Sequence, residues 1–203
     1  MNNQNNTIEN KFKIVITVGD DSGIGPEIIL KALFSKEIPD NIDFLIVGSQ
    51  GNLEKTYTNL KSLGIKDIVN PSDFQIFDIK VPFDINNPQK SNGDASFFYL
   101  KKAIEIVQEY QNAALVTGPI CKKSWALANH YYSGQTELLA ESCQANNVGM
   151  LFTAKSPITN WRFNTLLATT HIPLHEVPKQ LTTNLIHSKL DLLLQFCKNY
   201  VDK

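Results

Sequence analysis

No run of like charge stands out in this sequence, and that absence is the first constraint on its function. Lysine and arginine number 19 against 20 aspartates and glutamates, a formal net charge of −1. A nucleic-acid-binding surface needs a basic patch, and none rises above a solvated background, so no nucleic-acid partner is expected. No apolar stretch approaches the roughly 20 residues of a membrane-spanning helix. The opening, MNNQNNTIENK, is polar and Asn-rich and lacks the apolar segment of a secretory signal. It reads as a disordered lead-in over residues 1–11, and the chain is expected to be cytoplasmic, with no membrane partner. Cysteine is sparse too. Cys121, Cys143 and Cys197 are odd in number and far apart, with no CxxC pair, so no disulfide framework follows and a reducing cytosol suits them. Walker GK[ST], the GxGxxG fingerprint and internal repeats are all missing.

What is there is an ordinary globular composition, 42% apolar and 19% charged over 203 residues. That is enough chain to bury a core, as one α/β domain or one domain and part of another. FKIVITV (12–18) has the β-branched look of a buried parallel strand, and Pro26 and Glu27 open a helix after it. A strand over 44–47 and a helix over about 52–63, stopped by Gly64, continue the α/β alternation. Residues 70–92 read as irregular, with a short strand candidate at 74–79. Asp94 is expected to cap a long amphipathic helix whose buried stripe is Phe97, Leu100, Ile104 and Val107. AALVT (113–117) reads as another buried strand, followed by helices at 122–128 and from about Thr136. Segments 148–154 and 161–169 read as a hairpin, and 182–200 as a helix.

Four segments carry the chemistry. Gly19-Asp20-Asp21-Ser22-Gly23-Ile24-Gly25-Pro26 lies between a strand and a helix N-terminus, where free N–H groups favour an anion. Equally, it is a tight βα turn whose glycines meet positive-φ demands, and the adjacent aspartates argue against a phosphate directly on it. Thr117-Gly118-Pro119-Ile120-Cys121-Lys122-Lys123 also follows a strand end, where ligands gather in open α/β sheets. Lys122 and Lys123 are therefore either anion contacts or solvated lysines, and Cys121 is either reactive or a small filler. In Ser133-Gly134-Gln135-Thr136-Glu137, Thr136 caps a helix or donates to a ligand. His171 leaves a strand, and Pro173 between it and His175 blocks a helical HxxxH metal pair; His130 and His187 read as surface residues.

In combination these segments resemble one family. VITVGDDSGIGPEIILKAL is similar to the opening of the 4-hydroxythreonine-4-phosphate dehydrogenases, usually close to GDPAGIGPE. LVTGPICKKSW resembles their TGP-x-x-K segment, SGQTELLAE their GHTE segment, and LLATTHIPL their ATTHLPL segment. The motifs come in order and cover essentially the whole chain after Lys11. The resemblance implies an α/β fold of the two-lobed isocitrate/isopropylmalate dehydrogenase kind with its C-terminal part missing. Residues 12–118 would form the first lobe and 119–203 an incomplete second one. It further implies oxidation of 4-phosphooxy-L-threonine by NAD or NADP with decarboxylation, in pyridoxal 5'-phosphate (vitamin B6) biosynthesis. A homodimer with the active site at its interface would act on this small phosphorylated substrate. By the same resemblance His171 binds a divalent metal (Zn, Mg or Co), Gln135 and Thr136 contact substrate, and Lys122 lies near the substrate phosphate or reacting centre.

The departures are informative. Gln135 stands where the family has histidine, so any proton-transfer role at that position is lost while hydrogen bonding survives. Asp21-Ser22 replaces Pro-Ala and is expected to be tolerated. The NPH-type and HDQ-type motifs, which supply two further metal histidines and much of the NAD site, are not in the sequence. One histidine does not make a three-ligand catalytic site, so the expectation is an inactive fragment. The alternatives are a paralogue acting on another phosphorylated hydroxy acid, such as a sugar-acid phosphate, and a non-catalytic truncated lobe.

Overall fold

A computed structural model describes residues 11–39 and 41–200; the lead-in expected over 1–11 lies, Lys11 apart, outside the described residues. The described chain forms two compact units that divide between Ser142 and Cys143. In the first, β1 (Phe12–Thr17), β2 (Ile42–Gly48), β3 (Gln75–Asp78) and β4 (Ala113–Thr117) make a four-stranded sheet in the order β3-β2-β1-β4. All neighbours are parallel, with Val15 opposite both Leu45 and Leu115. Parallel strands are covered on both faces, which is why β1 runs apolar from Ile14 to Ile16 and β2 from Phe44 to Val47 instead of alternating. α1 (Gly25–Ala32) packs against α2 (Gln50–Ser62), and α3 (Pro88–Gln108) packs against β1, β2 and β4; the right-handed crossovers expected of this strand order would put the first two on one face and α3 on the other. Val15, Val18, Leu30, Ile46, Val47 and Leu53 are completely buried between the layers. Each such aliphatic side chain contributes about 1.5–3 kcal/mol by leaving water.

Local signals explain the helix ends. Ser49 caps α2 by accepting from the Asn52 N–H at 3.2 Å. At the other end Gly64, at φ +81°, donates to Lys61 O, and Ile65 donates back to Leu60 O. That pair of bonds is a Schellman closure.

Three expectations need correcting. The long helix does not start at Asp94: α3 begins at Pro88, six residues earlier. Its first turns are poor helix formers, but Gly93 lets α3 meet α4 (Lys122–Leu127), since a Cβ there would lie 2.1 Å from Ser124 O. Tertiary packing thus overrides propensity. Asp94, freed from capping, instead meets His130 (2.9 Å), whose ring stacks on Phe97 at a centroid distance of 3.7 Å. His130 is therefore largely buried, with its side chain 17% exposed, and is not a surface residue. Finally, β4 is the edge strand and leaves Val116 48% exposed, so its apolar sequence does not mark a buried centre.

Helix α5 (Gln135–Ser142) completes the first unit, with Leu138 joining Phe97, Leu100, Ile104 and Trp125 in a second apolar cluster. The second unit holds the expected hairpin, β5 (Leu151–Lys155) antiparallel to β6 (Arg162–Leu166). It also holds the short α6 (Val177–Gln180) and the amphipathic α7 (Thr183–Tyr200). None of its described residues is buried, and α7 exposes Ile186, Leu190 and Leu194. Among the described residues no helix is long and apolar enough to cross a membrane.

Candidate functional site

The chain steps from β1 to β2 to β3 in one direction and then crosses back to place β4 on the far side of β1. Between β1 and β4 the strand order reverses, and in open α/β sheets ligands bind beyond the carboxyl ends of the strands at such a point. Two of the four sequence motifs leave the sheet there, and they are locked together. Gly118 donates to Thr17 O (2.9 Å) and to the Thr17 hydroxyl (3.1 Å), and Asp20 donates to Pro119 O (2.9 Å). Gly19, at φ +79°, faces Pro119 so closely that a Cβ would lie 2.3 Å from Pro119 O. These glycines serve loop-on-loop packing, which favours the tight-turn reading of the first motif.

The two aspartates of that loop do different things. Asp20 is buried, and its carboxylate accepts from the Ser22 N–H (2.9 Å) and hydroxyl (2.7 Å), closing the turn. Asp21 reaches outward from the loop to two helices, accepting from Asn52 Nδ2 at 3.0 Å and from the Tyr99 hydroxyl at 2.7 Å. This is how Asp21 is accommodated where the family pattern has proline. Burial raises the Asp21 carboxyl above the usual carboxylate range, against the opposing pull of its bonds to Tyr99 and Asn52. Burial and then the Asp21 charge push the Tyr99 phenol well above its usual value.

A raised folded-state pKa means that the native protein holds this proton more tightly than the unfolded chain. Its contribution to stability is present at acid pH and is lost as pH rises from the ordinary carboxylate value through the folded one. Asp21→Asn is expected to remove that descent. Urea midpoints of both proteins from acid to neutral pH check it, and identical pH slopes would contradict the assignment.

The third motif joins the first two. Gln135 opens α5 and donates from Nε2 to Gly118 O at 3.0 Å. Thr136 lies inside the first turn of α5 and half-buried, not ahead of the helix where a capping residue would sit. Lys122 begins α4 with its side chain exposed, and its ammonium lies 3.8 Å from the point where a Cβ on Gly134 would be. Lys122, Gln135 and Thr136 are therefore gathered at one sheet end. Cys121, beside them, is half-buried. Hydrogen bonding to Ser124, through its side chain and then its backbone, pulls the thiol below its usual pKa against burial and the Asp20 charge. The signal for this in the sequence is only Ser124, one helical turn on. Glu137, which sequence reasoning passed over, also belongs here; an acidic residue three positions after a helix-opening glycine is the available sign.

His171 belongs to the second unit. It is exposed, at φ +56°, a left-handed conformation uncommon for residues other than glycine and enriched in histidine. Among the described residues no group of three or more His, Cys, Asp or Glu is arranged to hold a metal ion. His171 offers one donor, so the described residues do not by themselves fit a divalent-metal centre.

Residues 40–202 match the family described as Pyridoxal phosphate biosynthetic protein PdxA. A relative named 4-hydroxythreonine-4-phosphate dehydrogenase from Nostoc sp. is 40% identical over 204 residues, covering 95% of this chain and 56% of its own length. One of the same name from Thermosynechococcus vestitus is 42% identical over 194 residues, 92% of this chain and 55% of its own. The crystal structure of 4-hydroxythreonine-4-phosphate dehydrogenase from Klebsiella pneumoniae superposes with a TM-score of 0.72 at 25% identity, covering 92% of this chain and 59% of that one. The chain thus spans a little over half the length of the relatives it matches.

Proposed function

Because the chain belongs to the PdxA family of pyridoxal phosphate biosynthetic proteins, we propose that it contributes to the oxidation of 4-phosphooxy-L-threonine by NAD or NADP, with decarboxylation, on the way to pyridoxal 5'-phosphate. The observation that carries this reading is the bond from Gln135 to Gly118. It brings the second and third family motifs together at the switch point, where the first motif is already anchored to Pro119.

The roles follow from chemistry. The Lys122 ammonium attracts an anionic group of the substrate. Thr136 supplies a hydroxyl from the first turn of α5, next to a helix end that favours negative charge. Gln135 holds Gly118 and positions, but as a neutral amide it moves no proton. The nicotinamide cofactor, when bound, accepts the hydride. A divalent metal (Zn, Mg or Co) would take one ligand from His171, which has no fuller donor set beside it among the described residues.

The same proposal holds that the complete catalyst is the two-lobed isocitrate/isopropylmalate dehydrogenase-like fold, with lobes dividing near 118/119, working in the cytoplasm as a homodimer with the active site at its interface. An uncovered apolar α7 and a second unit with no buried residue support a need for further protein against it. On this reading the 203-residue chain alone does not turn over.

Calorimetric titration of the purified chain with 4-phosphooxy-L-threonine tests the binding half. Lys122→Ala is expected to weaken it by about ten-fold or more, roughly 1.4 kcal/mol. Binding unaffected by that change would overturn the assignment of Lys122. Steady NADH production by the chain alone, with metal supplied, would overturn the need for further residues. A second reading, a paralogue for sugar-acid phosphates, is favoured by Gln135 itself, because its amide has replaced a titratable donor.

A further inference from the structure

The sheet edge opposite β4 carries an unfilled groove. Among the described residues no strand lies outside β3, so the outer backbone groups of Gln75–Asp78 have no strand partner. Beside this edge is a hollow of about 460 Å³ whose apolar lining includes Phe77, Val81, Pro82 and Phe98. Phe77 and Phe98 are both exposed, which makes an aromatic shelf in contact with water. Lys80, Lys101 and Lys102 line the same hollow against one carboxylate, Glu105. Phe98, Lys101, Lys102 and Glu105 follow the i, i+3, i+4, i+7 spacing of a single face of α3. Lys102 is occupied: its ammonium lies 3.1 Å from Glu105 and 5.3 Å from the centre of the Phe77 ring. Lys80 and Lys101 are exposed, and among the described residues neither pairs with a carboxylate. In a chain of net charge −1 this is a local excess of positive charge.

We propose that this groove docks an extended segment of another protein, rich in apolar and acidic side chains, as an added strand on β3. Lys80 and Lys101 meet separate carboxylates of that segment, and the aromatic shelf takes its apolar side chains. Strand addition draws affinity from backbone bonds and selection from alternate side chains. Exposed ion pairs each contribute little, so the lysines choose the partner and speed the encounter while the shelf and the strand bonds hold it. Pro82 has no N–H to offer and ends the pairing edge after Val81. Lysines at an edge keep like edges apart, which disfavours a second copy of this chain presenting the same three. The same charges admit an acidic strand. The exposed aromatic rings between them distinguish this surface from an ordinary solvated lysine face.

Two labelled heptapeptides test it by fluorescence anisotropy with the purified chain: one alternates valine and glutamate, the other valine and lysine. The glutamate peptide is expected to bind at least about ten-fold tighter than the lysine peptide. Lys80→Glu combined with Lys101→Glu, both at exposed side chains, is expected to reverse that preference, an outcome that loss of folding cannot imitate. Hydrogen exchange should slow in residues 75–81 when the glutamate peptide is bound, and not in β4. Equal binding of the two peptides, binding of neither, or a preference unchanged by the double variant overturns the proposal. So does protection elsewhere with none in 75–81. Capture of the wild-type chain on phosphatidylserine vesicles with no peptide binding would make the face a membrane contact. A concentration-dependent dimer that slows exchange in 75–81 would give it to a second copy. Either result overturns the acidic-strand reading and leaves the proposed function standing.

Discussion

Gly118→Ala is expected to destabilise the first unit by on the order of 3 kcal/mol, at the upper end for overpacking. The added methyl would lie 2.4 Å from Val18 O and 2.5 Å from Thr17 O. Both oxygens belong to the exit of β1, which is held on one side by β2 and on the other by β4, so neither can retreat. Relief has to come from β4 moving away, which breaks the paired bonds from Gly118 to Thr17 and draws Pro119 off Asp20. Gln135 loses its anchor in the same movement, so ligand binding should fall along with stability. Gly51→Ala is the matched control. It lies in the first turn of α2 with nothing within 4 Å of the new methyl, and is expected to be neutral or slightly stabilising. Urea midpoints at constant m-value measure both. A Gly118→Ala midpoint equal to that of Gly51→Ala would show that the β1–β4 junction is not packed as described.

Trp125→Ala is expected to lower stability by about 3–5 kcal/mol, as for other fully buried large aromatics. Trp125 is completely buried in α4, edge-on to Phe97 at 5.5 Å and to Tyr132 at 6.3 Å. Its Nε1 donates to the Ser96 hydroxyl (2.9 Å), which donates in turn to Gly93 O (3.1 Å). This is the contact that fastens α4, with Lys122 at its start, to α3. Trp125→Phe keeps much of the apolar fill and loses only the indole donor, so its loss should be clearly smaller. Denaturation followed by far-ultraviolet circular dichroism tests the pair. Equal midpoints for the alanine and phenylalanine variants would mean that the ring's packing contributes little, contrary to this account.

Much of the architecture was legible from local pattern. FKIVITV, the Pro26-Glu27 start, Gly64 as a helix stop and AALVT each encode their element within a few residues, because strand burial and helix ends are short-range problems. The start of α3 was not legible, since residues 88–93 are weak helix formers that become helical only against α4. His130 was misread for the same reason: nothing nearby in sequence announces that Phe97 and Asp94 will enclose it.

For the site, the sequence by itself pointed to the family and to the candidates Lys122, Gln135, Thr136 and His171, because ordered motifs survive in one dimension. Tertiary structure alone decided what those residues can touch. Parallel pairing of β4 beside β1 is a contact across about a hundred positions of chain, and it is what places Gly118 against Thr17 and under Gln135. Asp21 could be accommodated only because Asn52 and Tyr99 arrive from two other helices. Glu137 joined the site only when its oxygen was found buried, unpaired and, like Lys122, close to Gly134. Local sequence sets which groups are available; burial and the meeting of distant strands set which of them are left with a partner still to find.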